Sequence, residues 1–129
     1  MAKYIAISES EWQVMKIVWD SSPKTLQDFL SSLKHTGWSP TTIQTYLARL
    51  VKKGALHTER QGKCYLYTPA ISENECQLEE SKTFLSRVYD GSLSSMVSGF
   101  VKSGNLSEKE LQAIKKLISE QENKDADHR

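Results

Sequence analysis

Apolar residues recur at helical spacing three times within the first 53 positions of the chain. Trp12, Met15, Val18 and Trp19 share one helix face; so do Leu26, Phe29, Leu30 and Leu33, and again Ile43, Leu47, Leu50 and Val51. All three stripes read as core-packing faces. Start signals precede each. Ser8-Glu9-Ser10-Glu11 forms a capping box, with Ile7 and Trp12 placed as its hydrophobic staple. Thr25 is a weaker cap for a helix predicted from Leu26 to Lys34, and Ser39-Pro40 supplies an N-cap followed by proline at the first helical position. Lys52-Lys53-Gly54 is a stop. Beyond it the pattern changes to two short strands, Leu56 to Arg60 and Lys63 to Thr68, around a Gln61-Gly62 turn, with Pro69 ending the second. Three helices and then a hairpin within residues 1–70 predict a winged helix-turn-helix domain.

Residues 71–123 predict three more helices, at about 72–89, 93–102 and 107–121. Ser72…Glu75 and Ser107…Glu110 repeat the capping box, and Tyr89-Asp90-Gly91 is a stop. The apolar positions are Leu78, Phe84, Leu85 and Val88, then Met96, Val97, Phe100 and Val101, then Leu111, Ile114, Leu117 and Ile118. This set is thin for a lone domain of that size, so the stripes need a further surface to cover them. A second copy of the chain is the expected cover, which makes these residues (Leu117 apart) dimerisation candidates; folding back onto the first half is the other arrangement. Residues 124–129 read as a frayed polar tail. The expected fold class is mostly α with a small β-hairpin: a winged helix-turn-helix followed by a three-helix dimerisation region.

Composition narrows the class. At 129 residues, 38% hydrophobic and 26% charged, the chain is an ordinary globular protein rather than a disordered one. It contains no apolar run of the roughly 20 residues a membrane span needs, and the start has no signal-type apolar stretch. A cytoplasmic protein without membrane insertion is expected. Cys64 and Cys76 lack companion ligands at metal spacing and read as reduced, partly buried thiols, so neither metal nor cofactor is implied. The net charge of +1 hides an asymmetry: residues 1–69 hold nine Lys/Arg against five acids, and residues 39–69 hold five against one. That is a local basic footprint suited to phosphates.

With its apolar stripe buried, the third helix turns Thr41, Thr42, Gln44, Thr45, Ala48, Arg49 and Lys52 outward, and no acid occurs from residue 29 to 58. In a helix entering the major groove of double-stranded DNA, early residues touch base edges and later cations reach phosphates. Gln44 and Thr45 are therefore candidates for base readout, Arg49 for either role, and Thr41, Thr42 and Lys52 for the backbone. Ser39 and the free N–H groups at the helix start suit a phosphate. At the hairpin tip, Arg60 and Lys63 are placed to clamp flanking phosphates or the adjacent minor groove.

These residues also carry a resemblance. Glu11-Trp12-Gln13-Val14-Met15-Lys16-Ile17-Val18-Trp19, Trp38-Ser39-Pro40-Thr41-Thr42-Ile43-Gln44-Thr45 and Leu47-Ala48-Arg49-Leu50-Val51-Lys52-Lys53-Gly54-Ala55-Leu56 are similar to motifs of one repressor family. So are Tyr65-Leu66-Tyr67-Thr68-Pro69, Lys82-Thr83-Phe84-Leu85 and Ser95-Met96-Val97. The family is that of the penicillinase repressor and methicillin-resistance regulator, with copper-responsive repressors as a branch (the BlaI/MecI/CopY group). The resemblance implies a homodimer that binds palindromic operators and represses neighbouring genes. It also implies inactivation when a membrane sensor-protease pathway triggers cleavage in the second half. Such cleavage falls before a phenylalanine, typically after asparagine; the aligned pair here is Gly99-Phe100. The copper branch ends in Cys-x-Cys pairs, whereas no cysteine follows Cys76 here.

Two rival readings fall to the same residues. His35, His57 and His128 join no Ser/His/Asp or paired-carboxylate grouping, which argues against an enzyme. A winged helix used only for protein interaction would expose apolar residues where the third helix shows Thr, Gln and Arg. The inducing signal stays open between a β-lactam-type antibiotic and another stress such as a metal, and the genomic neighbourhood discriminates between them.

Overall fold

The computed structural model describes residues 5–127 and divides the chain into two compact units, residues 1–82 and 83–129. The first unit contains α1 (Glu9–Asp20), α2 (Leu26–Ser32), a 3-10 turn (Lys34–Thr36), α3 (Pro40–Lys53), the hairpin strands β1 (Leu56–Gln61) and β2 (Cys64–Pro69), and the first turns of α4 (Glu73–Tyr89). α3 packs against α1, α2 and β1. The apolar stripes meet in one core of Val14, Met15, Val18, Phe29, Leu33, Ile43, Leu47, Leu50 and Leu56. Trp12 and Trp19 flank it, half-buried, with their rings edge to face at 5.4 Å.

The caps explain where the helices begin. Ser8 and Glu11 exchange both bonds of the capping box. Thr25, expected as a weak cap, makes the same reciprocal box with Asp28, whose carboxyl the Thr25 hydrogen bonds hold below its ordinary value. α2 ends at Ser32, short of the predicted Lys34, because the chain tightens into the 3-10 turn and reverses at Gly37 with φ 76°.

The hairpin register runs from Leu56 opposite Pro69 to Gln61 opposite Cys64. Gln61 therefore belongs to β1, and the loop is Gly62-Lys63 rather than the expected Gln61-Gly62. Gly62 takes φ 63°, which the first position of a two-residue loop of the II′ kind requires. The sequence showed no partner for the strand edge, yet Lys24 bridges to Tyr67 through backbone bonds of 3.0 and 2.8 Å. Tyr67 also sets its ring edge-on to Phe29 at 5.6 Å, so the hairpin base is tied to the core at two points.

The division between units falls after Lys82 rather than after residue 70. Cys76 on α4 is buried in the first unit's core, and the Trp19 indole donates to the Ile71 carbonyl at 3.0 Å, so the segment entering α4 belongs to that core. Burial, with Glu75 and Glu80 nearby, pushes the Cys76 thiol above its ordinary range. Cys64 is exposed, a correction to the expectation of two partly buried thiols.

The second unit holds the rest of α4, α5 (Leu93–Lys102) and α6 (Glu108–Asp127). α4 ends through Asp90 and Gly91, both at positive φ, and the Gly91 N–H donates to the Leu85 carbonyl at 2.8 Å. Ser92 and Ser107 cap the two helices that follow. α6 continues to Asp127, past the predicted 121, so residues 124–127 of the expected tail are helical; 128 and 129 lie outside the described residues. Among its described residues this unit buries none: Leu85, Met96, Val97, Leu111 and Ile114 are half-buried, and Phe84, Val88, Phe100, Val101 and Ile118 are exposed.

Among the described residues of the first unit one charge is buried. Glu11 is 2% exposed and accepts from the Ser8 N–H at 2.9 Å and from Lys53 Nζ at 2.5 Å; Lys53 also donates to the Ala6 carbonyl at 2.8 Å. Burial alone would raise the Glu11 carboxyl, but the bonds from Lys53 and Ser8 and the Lys53 charge outweigh it and hold the group below its ordinary 4.5. Its stabilising contribution is therefore complete above about pH 4.5 and is lost as pH falls through the lower folded value. Glu11→Gln is expected to cost on the order of 2 kcal/mol near neutral pH. That lies below the roughly 3–5 of fully buried pairs, because Lys53 keeps 36% of its side-chain exposure. Urea unfolding across pH 3 to 7 checks this: the gap between parent and variant should close on the acid side.

Candidate nucleic-acid interface

The interface is built on α3. Its N-cap Ser39 accepts the Thr42 N–H at 3.1 Å, and Pro40 at the first helical position has no N–H to satisfy. At the other end Gly54, φ 88°, closes the helix onto the Leu50 and Val51 carbonyls. With Ile43, Leu47 and Leu50 buried, the opposite face presents Thr41, Gln44, Thr45, Ala48, Arg49 and Lys52, all exposed. At 1.5 Å per residue this face runs about 16 Å along the helix. The positions expected on one surface are brought to one surface.

Their hydrogen bonding refines the roles. Ser39 Oγ and Thr42 Oγ1 lie 3.0 Å apart and engage each other, and Thr42 is half-buried, so both hydroxyls serve the cap first. The Thr41 N–H is the donor left open at the helix start. Thr45 gives its hydroxyl hydrogen to the Thr41 carbonyl at 2.9 Å, which leaves it an acceptor and a methyl group. Gln44, with an amide that both donates and accepts, is the most versatile group on the face. Arg49 and Lys52 form no ion pair among the described residues, whereas Lys53 beside them is neutralised by Glu11. Adjacent lysines at one helix end thus divide: one faces solvent, the other holds the fold. Sequence reasoning placed Lys53 in a stop signal and in a family-like motif, and nothing in the spacing to Glu11 indicated the pairing.

The wing supplies the second half of the site. Arg60 and Lys63 are both exposed, Lys63 in the loop itself. The Arg60 guanidinium lies over the Tyr65 ring, 6.0 Å from its centre, and its Nε donates to the Gly62 carbonyl at 3.1 Å. Exposed Cys64 follows the loop. An open cleft of about 320 Å³ lies beside the wing, lined by Thr25, Leu26, Gln27, Tyr65 and Tyr67 among others. The whole arrangement is acid-free on α3, cationic at the C-terminal end of α3 and at the wing tip, and rich in small hydroxyl and amide groups along the helix. Such a surface suits phosphates and base edges and offers no nucleophile with a base beside it. No group of three metal-binding side chains assembles among the described residues, and none of their helices is long and apolar enough to cross a membrane.

Comparison with known proteins agrees in kind. The penicillinase repressor family model matches residues 7–120. The penicillinase repressor of Bacillus licheniformis is 39% identical over 125 residues, 96% of this chain and 98% of its own. The methicillin resistance regulatory protein MecI of Staphylococcus aureus is 30% identical over 118 residues, 91% and 96% of the two chains. Among solved structures, the DNA-binding domain of the repressor BlaI is similar with a TM-score of 0.53 at 43% identity, covering 58% of this chain and 93% of that one. The monomeric form of Bacillus licheniformis BlaI in complex with the blaP half-operator gives a TM-score of 0.51 at the same identity and coverage.

Two substitutions separate scaffold from surface. Ser39→Ala removes the cap and is expected to lower unfolding free energy by about 1 kcal/mol. Arg49→Ala, on the solvent side, is expected to stay within about 0.5 kcal/mol of the parent. Chemical denaturation of the two variants side by side checks the contrast; a large loss in Arg49→Ala would place that side chain in the scaffold instead.

Proposed function

Because the chain belongs to the penicillinase repressor family, we propose that it is a transcriptional repressor that grips double-stranded operator DNA through α3 and the wing. One observation carries this reading: the exposed face of α3 is free of acids and ends in two cations, Arg49 and Lys52, that form no ion pair among the described residues. A relative 43% identical is known in complex with half-operator DNA, which supports the same use of this face. Gln44 and Thr45 read base edges, Thr45 by accepting or through its methyl. Arg49, Lys52, Arg60 and Lys63 hold phosphates, and the Thr41 N–H, beside Ser39 and Thr42 at the helix start, receives one more.

The repressor works as a homodimer on a palindrome. Support comes from the second unit, where Leu78's successors along the chain (Phe84, Val88, Phe100, Val101 and Ile118) lie open to solvent and no described residue is buried. Phe100 is 46% exposed, a position that only a further surface hides. Leu78, Leu85, Met96, Val97, Leu111 and Ile114 complete the candidate contact. Two half-sites held together raise the second contact's effective concentration, with avidity gains of about 10²–10⁴.

Release follows from cleavage at Gly99-Phe100 after an antibiotic-type signal relayed by a membrane sensor-protease pathway, while the repressor itself stays in the cytoplasm. That bond lies inside α5, a ten-residue helix carrying an internal glycine. Such a helix is marginal in isolation, so a protease finds it easier to open than α4 or α6.

Binding to operator duplexes selected from a random pool tests the reading. With eight or more phosphate contacts from two subunits, log affinity falls with log salt at a slope steeper than about −6; a slope near −2 would count against two gripping units. Phe100→Asp is expected to yield monomers whose operator affinity is at least ~100-fold lower, with residues 1–82 still folded. Analytical ultracentrifugation and gel-shift titration of that variant report the two effects separately.

A further inference from the structure

The wing hairpin has two faces. Leu56, Thr58 and Arg60 lie on one of them, opposite Pro69, Tyr67 and Tyr65. Near the body this face is core: Leu56 is buried and Tyr67 packs on Phe29. Towards the tip the same face runs out of core to cover, and an arginine faces a tyrosine that is 50% exposed. A half-exposed tyrosine at this point has no core to fill. The Arg60 guanidinium lies over its ring, 6.0 Å from the ring centre. The Arg60 Nε is meanwhile held at 3.1 Å by the Gly62 carbonyl of the loop.

We infer that Tyr65 is a positioning residue that braces Arg60 as the wing's preset anchor for the DNA backbone. The inference rests on the reading of the wing given above. Guanidinium carries five N–H groups, and the loop carbonyl takes only the one on Nε. Those on the two terminal nitrogens stay open, in the forked geometry that matches phosphate oxygens. An unbraced arginine loses much rotamer freedom when it grips; one braced between a ring and a carbonyl has lost it on folding. Lys63, in the loop with no partner among the described residues, has no such brace. The two wing cations therefore differ in kind: Arg60 is fixed in place, and Lys63 is a mobile charge.

A double-mutant cycle on the full-length protein tests this, with a mixed-sequence DNA duplex as probe, since phosphate contacts need no operator. Arg60→Ala should weaken binding and make the salt slope shallower by about one. Tyr65→Phe, which keeps the ring, should bind like the parent. Tyr65→Leu keeps an apolar side chain and loses the ring's electron-rich face; it should bind roughly 2–5-fold more weakly, as for an exposed cation–π contact, with the salt slope unchanged. In the Arg60→Ala background, Tyr65→Leu should have no further effect. Thermal melting of each variant identifies any change in fold, and Tyr65→Phe remains informative even where Tyr65→Leu melts early. Equal losses from Tyr65→Leu with and without Arg60 would overturn the inference, because Tyr65 would then act on its own. Parent-like binding by Tyr65→Leu, in a protein where Arg60→Ala is weak, would overturn it as well. If Arg60→Ala itself binds like the parent, the wing's contact with DNA falls, and the inference falls with it.

Discussion

The pairing of Glu11 with Lys53 joins the first turn of α1 to the last turn of α3, 42 residues later. Everything at the candidate interface depends on where α3 points, and apolar packing alone leaves a helix free to slide or roll along its groove. A hydrogen-bonded ion pair is directional. It fixes one end of α3 against the start of α1, while Ile43 and Leu47, buried in the common core, hold the other half against α1 and α2. The same carboxylate caps α1 through Ser8, so one side chain sets both a helix start and a helix orientation. Burying a charge is costly, and it is tolerated here because Glu11 Oε1 accepts both a backbone N–H and the Lys53 ammonium.

The two units solve the burial problem in different ways. The first closes a core from three helices and a hairpin, with Cys76 on α4 as its last member. The second has amphipathic helices but no closed interior among its described residues. Its stripes are confined to α4, α5 and the first turns of α6; beyond Ile118 the helix sequence is polar apart from Ala126. A chain so arranged keeps the closed core in one unit and, Leu78 apart, the proposed assembly surface in the other.

Much of this was readable in the residues. Periodicity, caps and stops located α3, α4 and α5, and the start of α1, to within a residue or two, because local hydrogen bonds and helical spacing are written in adjacent positions. The exposed face of α3 followed from its buried one. Contacts across distance were not readable: the Lys24–Tyr67 bridge, the Lys53–Glu11 pair and the Trp19–Ile71 bond join positions whose separation carries no signal. The hairpin loop was misplaced by one residue because Gln61-Gly62 and Gly62-Lys63 are both plausible turns in composition, and only strand register decides between them. The unit boundary moved for a similar reason, since the burial of Cys76 is a tertiary fact.

Between the last residue of α3 and the first of β1 stand only Gly54 and Ala55. Ala55 is fully buried, its N–H is held by the Leu50 carbonyl at 2.9 Å and its carbonyl by the Ala70 N–H at 2.9 Å. So short and so pinned a connector makes helix and wing the two jaws of a caliper with a fixed gap. A duplex held by both must meet that gap with its own groove widths, and the energy of doing so depends on how stiff its base steps are. If α3 and the wing grip a duplex together as proposed, selectivity among sequences would arise partly from DNA mechanics, at base pairs that no side chain touches.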